Sequence, residues 1–345
     1  MSPRRPLVLL LAVALAACSS GGSPSPSVPG SASAPAASSA PTPVRLLLGF
    51  RPDVQFAPFY LAQQEGIYRD AGLDVTIEFK QSPDVIRLVG DGQAQFGVAD
   101  ATDAMISRTS GIPIKYVSTL YQQFPVALIG KAGAVPSDPS GLKGKKIGTP
   151  GKFGSSWAAL LALLKAGGLT ADDVTIREYP QFNQLDGLAN GDVDLITGFR
   201  NNEPLRLTQQ GMQVELMTVD SISPLPGPGI ISGDALLDAD PELVQRFVAA
   251  TAEAQAAVIA DPQRGLDAAA ASVPAVKEDP ATSLTVLKAT AELWKGDSGF
   301  ERGRIDLDMW GEAYATMKDL GFIDGSVPVG EMVWPLGPGP AQSPS

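Results

Sequence analysis

The sequence predicts an α/β protein with two lobes, and three observations support that prediction. Residues 44–121 alternate short apolar strands with amphipathic helices, a pattern that builds a parallel sheet covered on both faces. The same alternation restarts near residue 144 and continues to residue 219. Between its low-complexity ends the chain has about 290 residues of globular composition, which is more than one hydrophobic core usually covers.

Strands are predicted where apolar residues run together or alternate, and helices where they recur every three to four residues. In the first half, the predicted strands are 44–50, 74–80, 96–99, 114–121 and 125–131. The predicted helices between them are 58–72, 83–92 and 101–111. The strand at 125–131 is expected to carry the chain into the second lobe.

In the second half, the predicted strands are 146–148, 174–179, 193–199 and 213–219, and the predicted helices are 155–167, 181–190 and 203–210. Beyond residue 233 the predicted elements are helices at 240–260, 263–272, 281–295 and 306–321. Asp240-Pro241-Glu242 supplies the N-cap, the first-turn proline and the early carboxylate of the longest helix. A helical block after two α/β units indicates that the chain returns to the first lobe. The predicted lobes are therefore residues 44–126 with 220–335, and residues 127–219.

The N-terminal segment has the features of a secretory signal. Two arginines and a short apolar run precede small residues and Cys18, and the run is too short to span a bilayer. A cysteine at this position resembles the bacterial lipoprotein signal, in which the thiol is lipidated; the alternative is an ordinary signal peptide with an incidental cysteine. We expect a signal peptide at 1–17 and a lipid on Cys18 that holds the protein on the extracytoplasmic face of the cell membrane. Small residues and proline predict a disordered tether at 18–43 and a disordered tail at 336–345.

The composition excludes several classes of site. The chain has no histidine and one cysteine. Once Cys18 carries lipid, no Cys/His metal site, no Cys–His or Ser–His catalytic pair and no disulfide can form. The net charge of −11 gives no nucleic-acid-binding footprint. Asp and Glu could still hold Ca²⁺ or Mg²⁺, but the sequence has no Asp-x-Asp-x-Asp-Gly loop. We therefore expect no catalytic residue, no metal, no cofactor and no nucleic-acid partner.

Two segments carry a resemblance to a known family. One is residues 48–75, which begin Leu-Gly-Phe-Arg-Pro-Asp-Val-Gln-Phe, and the other is residues 142–148, Leu-Lys-Gly-Lys-Lys-Ile-Gly. Residues 91–99 and 190–194 fit the same pattern, once in each predicted lobe. Together they resemble the substrate-binding proteins of ABC importers, in the branch of thiamine-precursor, riboflavin and sulfonate binders. The resemblance implies a type II periplasmic-binding-protein-like fold, whose two lobes are joined by a two-stranded hinge and close on a ligand in the cleft between them.

The same resemblance implies a function. We expect a monomer that captures a small heterocyclic nutrient and delivers it to the permease and ATPase subunits of a transporter. A thiamine pyrimidine precursor is the first expectation, with riboflavin or a sulfonate such as taurine as alternatives. The branch also resembles fungal enzymes that make the thiamine pyrimidine. Those enzymes consume an active-site histidine and use iron near a cysteine-rich segment, so the absence of histidine and of a second cysteine disfavours an enzyme here.

Candidate ligand-binding residues lie in loops at the carboxyl ends of predicted strands, where open α/β sheets bind ligands. Rings and amides there suit a flat heterocycle, and the helix start near residue 155 offers N–H groups to an anion. The candidates are Gln55, Phe56, Asp100, Thr102, Tyr121, Phe153, Ser155, Ser156, Arg200, Asn201, Asn202 and Glu203.

Several candidates have a purely structural alternative. Phe56 could only pack a helix, Asp100 and Ser155 could cap helices, and Glu203 could favour a helix dipole. The segment Asn201-Asn202-Glu203 matches an Asn-x-Glu position that, in thiamine-precursor binders, pairs with an aminopyrimidine. Either asparagine could instead bind the imide edge of a flavin.

Overall fold

Ten strands in the described part of the chain form two five-stranded sheets. The computed structural model describes residues 40–220, 222–296, 301 and 303–335, and these belong to one compact unit that begins at Ala40. The predicted signal peptide, Cys18, most of the predicted tether and the predicted tail lie outside the described residues. The two sheets agree with the two-lobed α/β architecture expected from the sequence.

The first sheet is built from both ends of the folded chain. Its strands are β1 (Thr42–Leu48), β2 (Leu73–Phe79), β3 (Phe96–Ala99), β4 (Ile114–Thr119) and β10 (Gly229–Gly233). They lie in the order β2-β1-β3-β10-β4. β1 starts inside the segment predicted as tether, because residues 42 and 43 already pair with residues 73 and 74 of β2.

The second sheet has the same plan. Its strands are β5 (Val126–Lys131), β6 (Lys146–Thr149), β7 (Thr175–Glu178), β8 (Leu195–Phe199) and β9 (Val214–Thr218). They lie in the order β7-β6-β8-β5-β9.

The predicted parallel pairing is confirmed within β2-β1-β3 and β7-β6-β8, but each sheet also contains one antiparallel strand. β10 runs antiparallel to β3 and β4, and β5 runs antiparallel to β8 and β9. Each of these strands follows a passage of the chain from one sheet to the other, first between Thr119 and Val126 and then between Thr218 and Gly229. The crossover predicted at 125–131 therefore lies a few residues earlier in the chain, because β5 already belongs to the second sheet.

Fourteen α-helices lie in the described ranges. They are α1 (Ala57–Gln64), α2 (Ile67–Asp70), α3 (Ser82–Gly90), α4 (Ala101–Thr109), α5 (Gly154–Ala166), α6 (Gln184–Ala189), α7 (Glu203–Gln209), α8 (Asp234–Ala239), α9 (Pro241–Ala260), α10 (Pro262–Ser272), α11 (Pro274–Glu278), α12 (Pro280–Lys295), α13 (Leu307–Asp319) and α14 (Val329–Met332). The prediction of a single helix at 58–72 is wrong, because two helices, α1 and α2, occupy this segment. Gly66 has a φ of 81° and separates α1 from α2, a left-handed conformation that glycine adopts without steric cost. Within these ranges, none of the helices has both the length and the apolarity needed to cross a bilayer.

The C-terminal helices α9, α10 and α12 share one start signal. Each begins at an Asp-Pro pair whose aspartate accepts a backbone N–H from the first turn. The N-cap predicted at Asp240 is confirmed, since its carboxylate accepts the N–H of Leu243 at 2.9 Å.

Helix α9 packs against the first sheet through a stack of three aromatic rings. The ring of Phe247 lies 3.9 Å from that of Phe96 on β3 and 5.4 Å from that of Tyr68 on α2, and all three rings are nearly parallel. The three side chains are almost fully buried. The stack therefore ties helix α9 to the first sheet and to α2.

Candidate ligand-binding cleft

A cleft lies at the carboxyl ends of strands from both sheets. Its walls come from the segments that follow β1, β2 and β3 in the first sheet and β6, β7 and β8 in the second. The space between them is about 860 Å³, including the open mouth. Such a position is where open α/β sheets bind ligands, so the structure offers one cleft between its two lobes.

Eight of the twelve candidate residues line this cleft. The first sheet and the first passage of the chain contribute one group, and the loops of the second sheet contribute the other. The eight are Gln55, Phe56, Asp100, Tyr121, Phe153, Ser156, Asn202 and Glu203.

Two of the other four candidates lie behind the cleft wall. Thr102 is fully buried on α4. Ser155 is also fully buried, and its backbone N–H donates to a carboxylate of the first lobe described below. The alternative that Ser155 caps α5 is wrong, because the helix begins at Gly154 and its N-cap is Phe153.

The remaining two candidates are held by partners outside the cleft. Arg200 forms an ion pair with Asp220 at 2.9 Å, and its guanidinium donates to Gln123 Oε1 at 3.3 Å. Asn201 is buried, and its Nδ2 donates to Thr290 Oγ1 on α12 at 2.7 Å.

Sequence reasoning missed several lining residues. Phe50 follows β1, Ser82 follows β2, Phe182 and Gln184 follow β7, and Phe199 ends β8. The carboxyl-end rule applies equally to β2 and β7, so applying it to every strand would have selected the loops of Ser82, Phe182 and Gln184.

Aromatic rings form much of the cleft wall. Six line it, three from each lobe: Phe50, Phe56, Tyr121, Phe153, Phe182 and Phe199. Phe50 and Phe182 meet across the cleft with ring centroids 4.7 Å apart and planes at 75°. Among the described non-glycine residues, Phe182 alone has a positive φ, 57°. This strained backbone is therefore held by its surroundings at the cleft.

Two carboxylates from the first lobe contact the start of α5 in the second. Asp100 Oδ2 accepts the N–H of Ser155 at 2.7 Å, and Asp103 Oδ1 accepts the N–H of Gly154 at 2.8 Å. Asp103 Oδ2 also accepts from the hydroxyl of Ser82 at 3.1 Å. A Cβ at Gly154 would lie 2.7 Å from Asp100 Oδ2, so this approach requires glycine. Asp100 occupies the N-cap position of α4, as its structural alternative proposed, but its side chain makes no capping bond there.

Burial dominates the titration of these carboxylates. It raises the pKa of Asp100, and burial together with the charge of Asp100 raises the pKa of Asp103. The hydrogen bonds from the start of α5 act in the opposite direction but do not cancel the effect of burial.

Glu203 is a third carboxylate at the cleft. It is 6% exposed, begins α7, and its Oε2 accepts the N–H of Phe199 at 2.7 Å. Burial raises the pKa of Glu203 to about 7. Glu203 therefore both starts a helix, as its structural alternative proposed, and faces the cleft.

An ion pair also joins the two lobes beside the cleft. Arg206 on α7 donates from Nη2 to Asp53 Oδ2 at 2.8 Å and to Asp53 Oδ1 at 3.0 Å. Its Nε donates to Asn202 Oδ1 at 2.6 Å. With the contacts at α5, this pair holds the lobes together in the conformation that the structure records.

The side chains of the cleft determine which ligands it suits. In the described ranges, no group of three or more Asp, Glu or Cys side chains could hold a metal ion. The cleft brings together rings, amides and carboxylates from both lobes, which suits a flat ligand with polar edges.

Comparison with known proteins identifies the family. The family model described as NMT1/THI5 like matches residues 53–265, more than half of the chain. The chain belongs to the NMT1/THI5-like family. The family resemblance drawn from the sequence is thereby confirmed.

Two relatives of different kinds show how the family varies. The riboflavin-binding protein RibY of Chloroflexus aurantiacus is 31% identical over 292 residues, covering 83% of this chain and 83% of that protein. The 4-amino-5-hydroxymethyl-2-methylpyrimidine phosphate synthase of Aspergillus parasiticus is 29% identical over 220 residues, covering 60% of this chain and 64% of the synthase. The similarity to the binding protein thus extends over more of the chain.

A solved structure confirms the fold. The alkanesulfonate-binding protein SsuA of Xanthomonas axonopodis pv. citri, bound to MOPS, superposes with a TM-score of 0.68. The two share 18% identity, and the match covers 86% of this chain and all of SsuA. The periplasmic-binding-protein-like fold expected for this family member is therefore confirmed.

Proposed function

We propose that this chain is the solute-binding protein of an ABC importer and that its ligand is a neutral, flat heterocycle of the riboflavin type. The protein would capture the ligand in the cleft, close its lobes and deliver it to the permease and ATPase subunits, with no bond broken. The family, the two-lobed fold and the extent of similarity to RibY support this role. We propose that it acts as a monomer, with lobes at 44–126 plus 220–335 and at 127–219.

The observation that carries the ligand class is the wall of the cleft. Six rings line it, which is more aromatic surface than one pyrimidine ring can cover. Among the described residues that line it, none is lysine or arginine, whereas Asp100 and Glu203 bring carboxylates. A wall of this kind favours an uncharged aromatic ligand over an anion.

The start of α5 supports the same conclusion. Free N–H groups at a helix N-terminus attract anions. Here the N–H groups of Gly154 and Ser155 already donate to Asp103 and Asp100. A sulfonate would have to displace these carboxylates, so the sulfonate alternative is disfavoured for the closed cleft.

A thiamine-type pyrimidine is the second candidate, and Glu203 is the observation that favours it. A buried carboxylate at the cleft can accept from an exocyclic amine and a ring nitrogen in a charge-assisted pair. Its Oε2 already accepts the N–H of Phe199, and a ligand amine would bond to the same carboxylate. Replacing Glu203 with alanine should weaken binding of an aminopyrimidine, whereas an uncharged flavin should depend less on it.

The test is a titration of the purified full chain with riboflavin, followed by quenching of the flavin fluorescence. Riboflavin 5′-phosphate and an alkanesulfonate serve as anionic probes, and a hydroxymethyl aminopyrimidine tests the second candidate. Saturable riboflavin binding that exceeds binding of the phosphate ester by tenfold or more is expected. A ligand at 100 times its Kd should also stabilise the fold by about 2.7 kcal/mol. Tighter binding of either anion would refute the neutral-ligand assignment.

An enzymatic role has less support. The relative named as a synthase matches 60% of the chain, and the sequence has no histidine and no cysteine besides Cys18. Turnover of a bound pyrimidine by the purified chain, without a permease, would contradict the binding role.

We further propose that a lipid on Cys18 anchors the protein to the extracytoplasmic face of the membrane. The signal-like segment before Cys18 and the Ser/Pro/Ala-rich segment after it support this proposal. Cys18→Ser should release the protein from washed membranes into the soluble fraction. Continued membrane association of the variant would show that another tether exists.

A further inference from the structure

Two buried glutamine side chains at the cleft have polar atoms without hydrogen-bond partners. Gln55, in a 3₁₀ turn of the first lobe, is 8% exposed, and its Nε2 has no partner. Gln184, the first residue of α6 in the second lobe, is 2% exposed, and its Oε1 has no partner. Both line the cleft. Buried polar groups are normally paired, so each of these atoms needs an explanation.

The hydrogen bond between Gln184 and Thr197 fixes the orientation of the Gln184 amide. Its Nε2 donates to the carbonyl oxygen of Thr197 at 3.4 Å, and a carbonyl oxygen can only accept. The free atom of Gln184 is therefore the acceptor oxygen. The cleft thus offers an unpaired donor from one lobe and an unpaired acceptor from the other.

The two asparagines of the Asn-x-Glu segment fit an imide edge less well. Asn201 does not line the cleft and donates from Nδ2 to Thr290, and the Oδ1 of Asn202, which does line it, accepts from Arg206. Gln55 and Gln184 are the lining amides whose unpaired atoms remain for a ligand.

We propose that Gln55 and Gln184 determine specificity by binding the imide edge of a flavin from opposite lobes. This inference rests on the proposed function. Gln184 Oε1 accepts from the ring N3–H, and Gln55 Nε2 donates to a neighbouring ring carbonyl. The aromatic walls hold the ring plane, while the two amides select the edge. Because the amides belong to different lobes, both bonds form only when the lobes are closed, which couples recognition to closure.

The experiment compares riboflavin with 3-methylriboflavin, in which a methyl group replaces the N3 hydrogen. Each ligand is titrated into the full chain and into the variants Gln184→Met and Gln55→Met. Gln263→Met, at an exposed position on α10, is the matched control. Thermal unfolding of every variant without ligand provides a second readout.

In the wild-type chain, N3-methylation should weaken binding at least tenfold. In Gln184→Met that penalty should shrink to about threefold or less, because the acceptor is gone; a neutral hydrogen bond is worth roughly three- to tenfold in affinity. Gln55→Met should weaken both ligands by a similar factor, since both keep the ring carbonyls. Gln55→Met should not unfold at a lower temperature without ligand, because it removes an unpaired buried donor. Gln184→Met also loses the bond to the Thr197 carbonyl oxygen, so a small decrease in its unfolding temperature is expected.

The outcomes separate the two proposals. If the wild-type chain does not bind riboflavin, the proposed function fails and this inference fails with it. If riboflavin binds but N3-methylation has the same effect in the wild type and in Gln184→Met, this inference alone is refuted. Loss of thermal stability in both ligand-free variants would instead assign the glutamines a structural role.

Discussion

The ion pair between Asp53 and Arg206 provides a direct test of lobe closure. It joins the first lobe to α7 of the second, with both carboxylate oxygens within 3.0 Å of Arg206 Nη2. The side chain of Asp53 is 8% exposed and that of Arg206 is 23% exposed. When the lobes separate, both groups become hydrated, so the pair acts on closure rather than on the folding of either lobe.

The magnitude follows from this burial. Breaking a buried pair by removing one partner costs about 3–5 kcal/mol, whereas an exposed pair contributes about 0–1 kcal/mol. Because Arg206 keeps roughly a quarter of its surface in water, we expect a cost of about 2 kcal/mol for Arg206→Met. That free energy opposes closure, and ligand affinity should fall by about 30-fold.

The assay is a riboflavin titration of Arg206→Met, Asp53→Asn and the double variant. Asp53→Asn retains an oxygen that can accept the N–H of Val54, which Asp53 accepts at 2.7 Å. The double variant should lose little more affinity than either single one, since the second change removes a group that already lacks its partner. Arg87→Met, which removes an exposed pairing on α3, is the control and should bind like the wild type.

Wild-type affinity in Arg206→Met would refute the reasoning, because it would mean that the closed lobes do not depend on this pair. Strictly additive losses in the double variant would also refute it, since they would show that the two residues act separately.

Three further predictions concern the cleft and its support. Burial in the closed cleft raises the pKa of Asp100 and Asp103, so these carboxyl groups bind protons more tightly in the closed form than in the open form. Ligand affinity should therefore be highest below the ordinary aspartate pKa and fall as the pH rises through the raised pKa values. In Asp103→Asn the affinity should depend less on pH. Riboflavin titrations between pH 5 and 8.5 measure this slope, and a rise in affinity with pH would contradict it. Phe182→Ala removes the ring that meets Phe50 and should speed ligand release roughly fivefold in stopped-flow displacement, whereas an unchanged rate would exclude the ring pair from closure. Phe247→Ala should lower the free energy of unfolding by about 3–5 kcal/mol in denaturant titrations, and a loss under 1 kcal/mol would contradict its place in the core stack.

Local signals in the sequence predict most elements of the fold. The Asp-Pro start of α9 and the apolar periodicity of α5 are properties of short segments, so they can be interpreted without tertiary structure. The antiparallel strand Gly229–Gly233 is different. Its five residues, Gly-Ile-Ile-Ser-Gly, are too few for a periodic signal, and they form a strand because β3 and β4 already flank their place in the sheet.

The candidate site was predictable by position but less so by role. The carboxyl-end rule selected the loops that hold Asp100, Phe153 and Glu203, and these residues line the cleft. The rule could not reveal that Asn201 donates a hydrogen bond to Thr290. Nor could it reveal that backbone N–H groups at the start of α5 donate to carboxylates of the other lobe. Both facts depend on contacts between segments far apart in the sequence, which no local pattern contains.

Several energetically unfavourable features lie together at the cleft. Phe182 has a positive φ, Gln55 and Gln184 have unpaired polar atoms, and Glu203 is a buried carboxylate with a raised pKa. Each feature destabilises the ligand-free closed form, and stable proteins tolerate such features mainly where function requires them. A ligand that pairs the amides and fills the space between the rings removes part of this cost only when the lobes are closed. In the proposed mode of binding, the residues that select the ligand therefore also make closure depend on its presence.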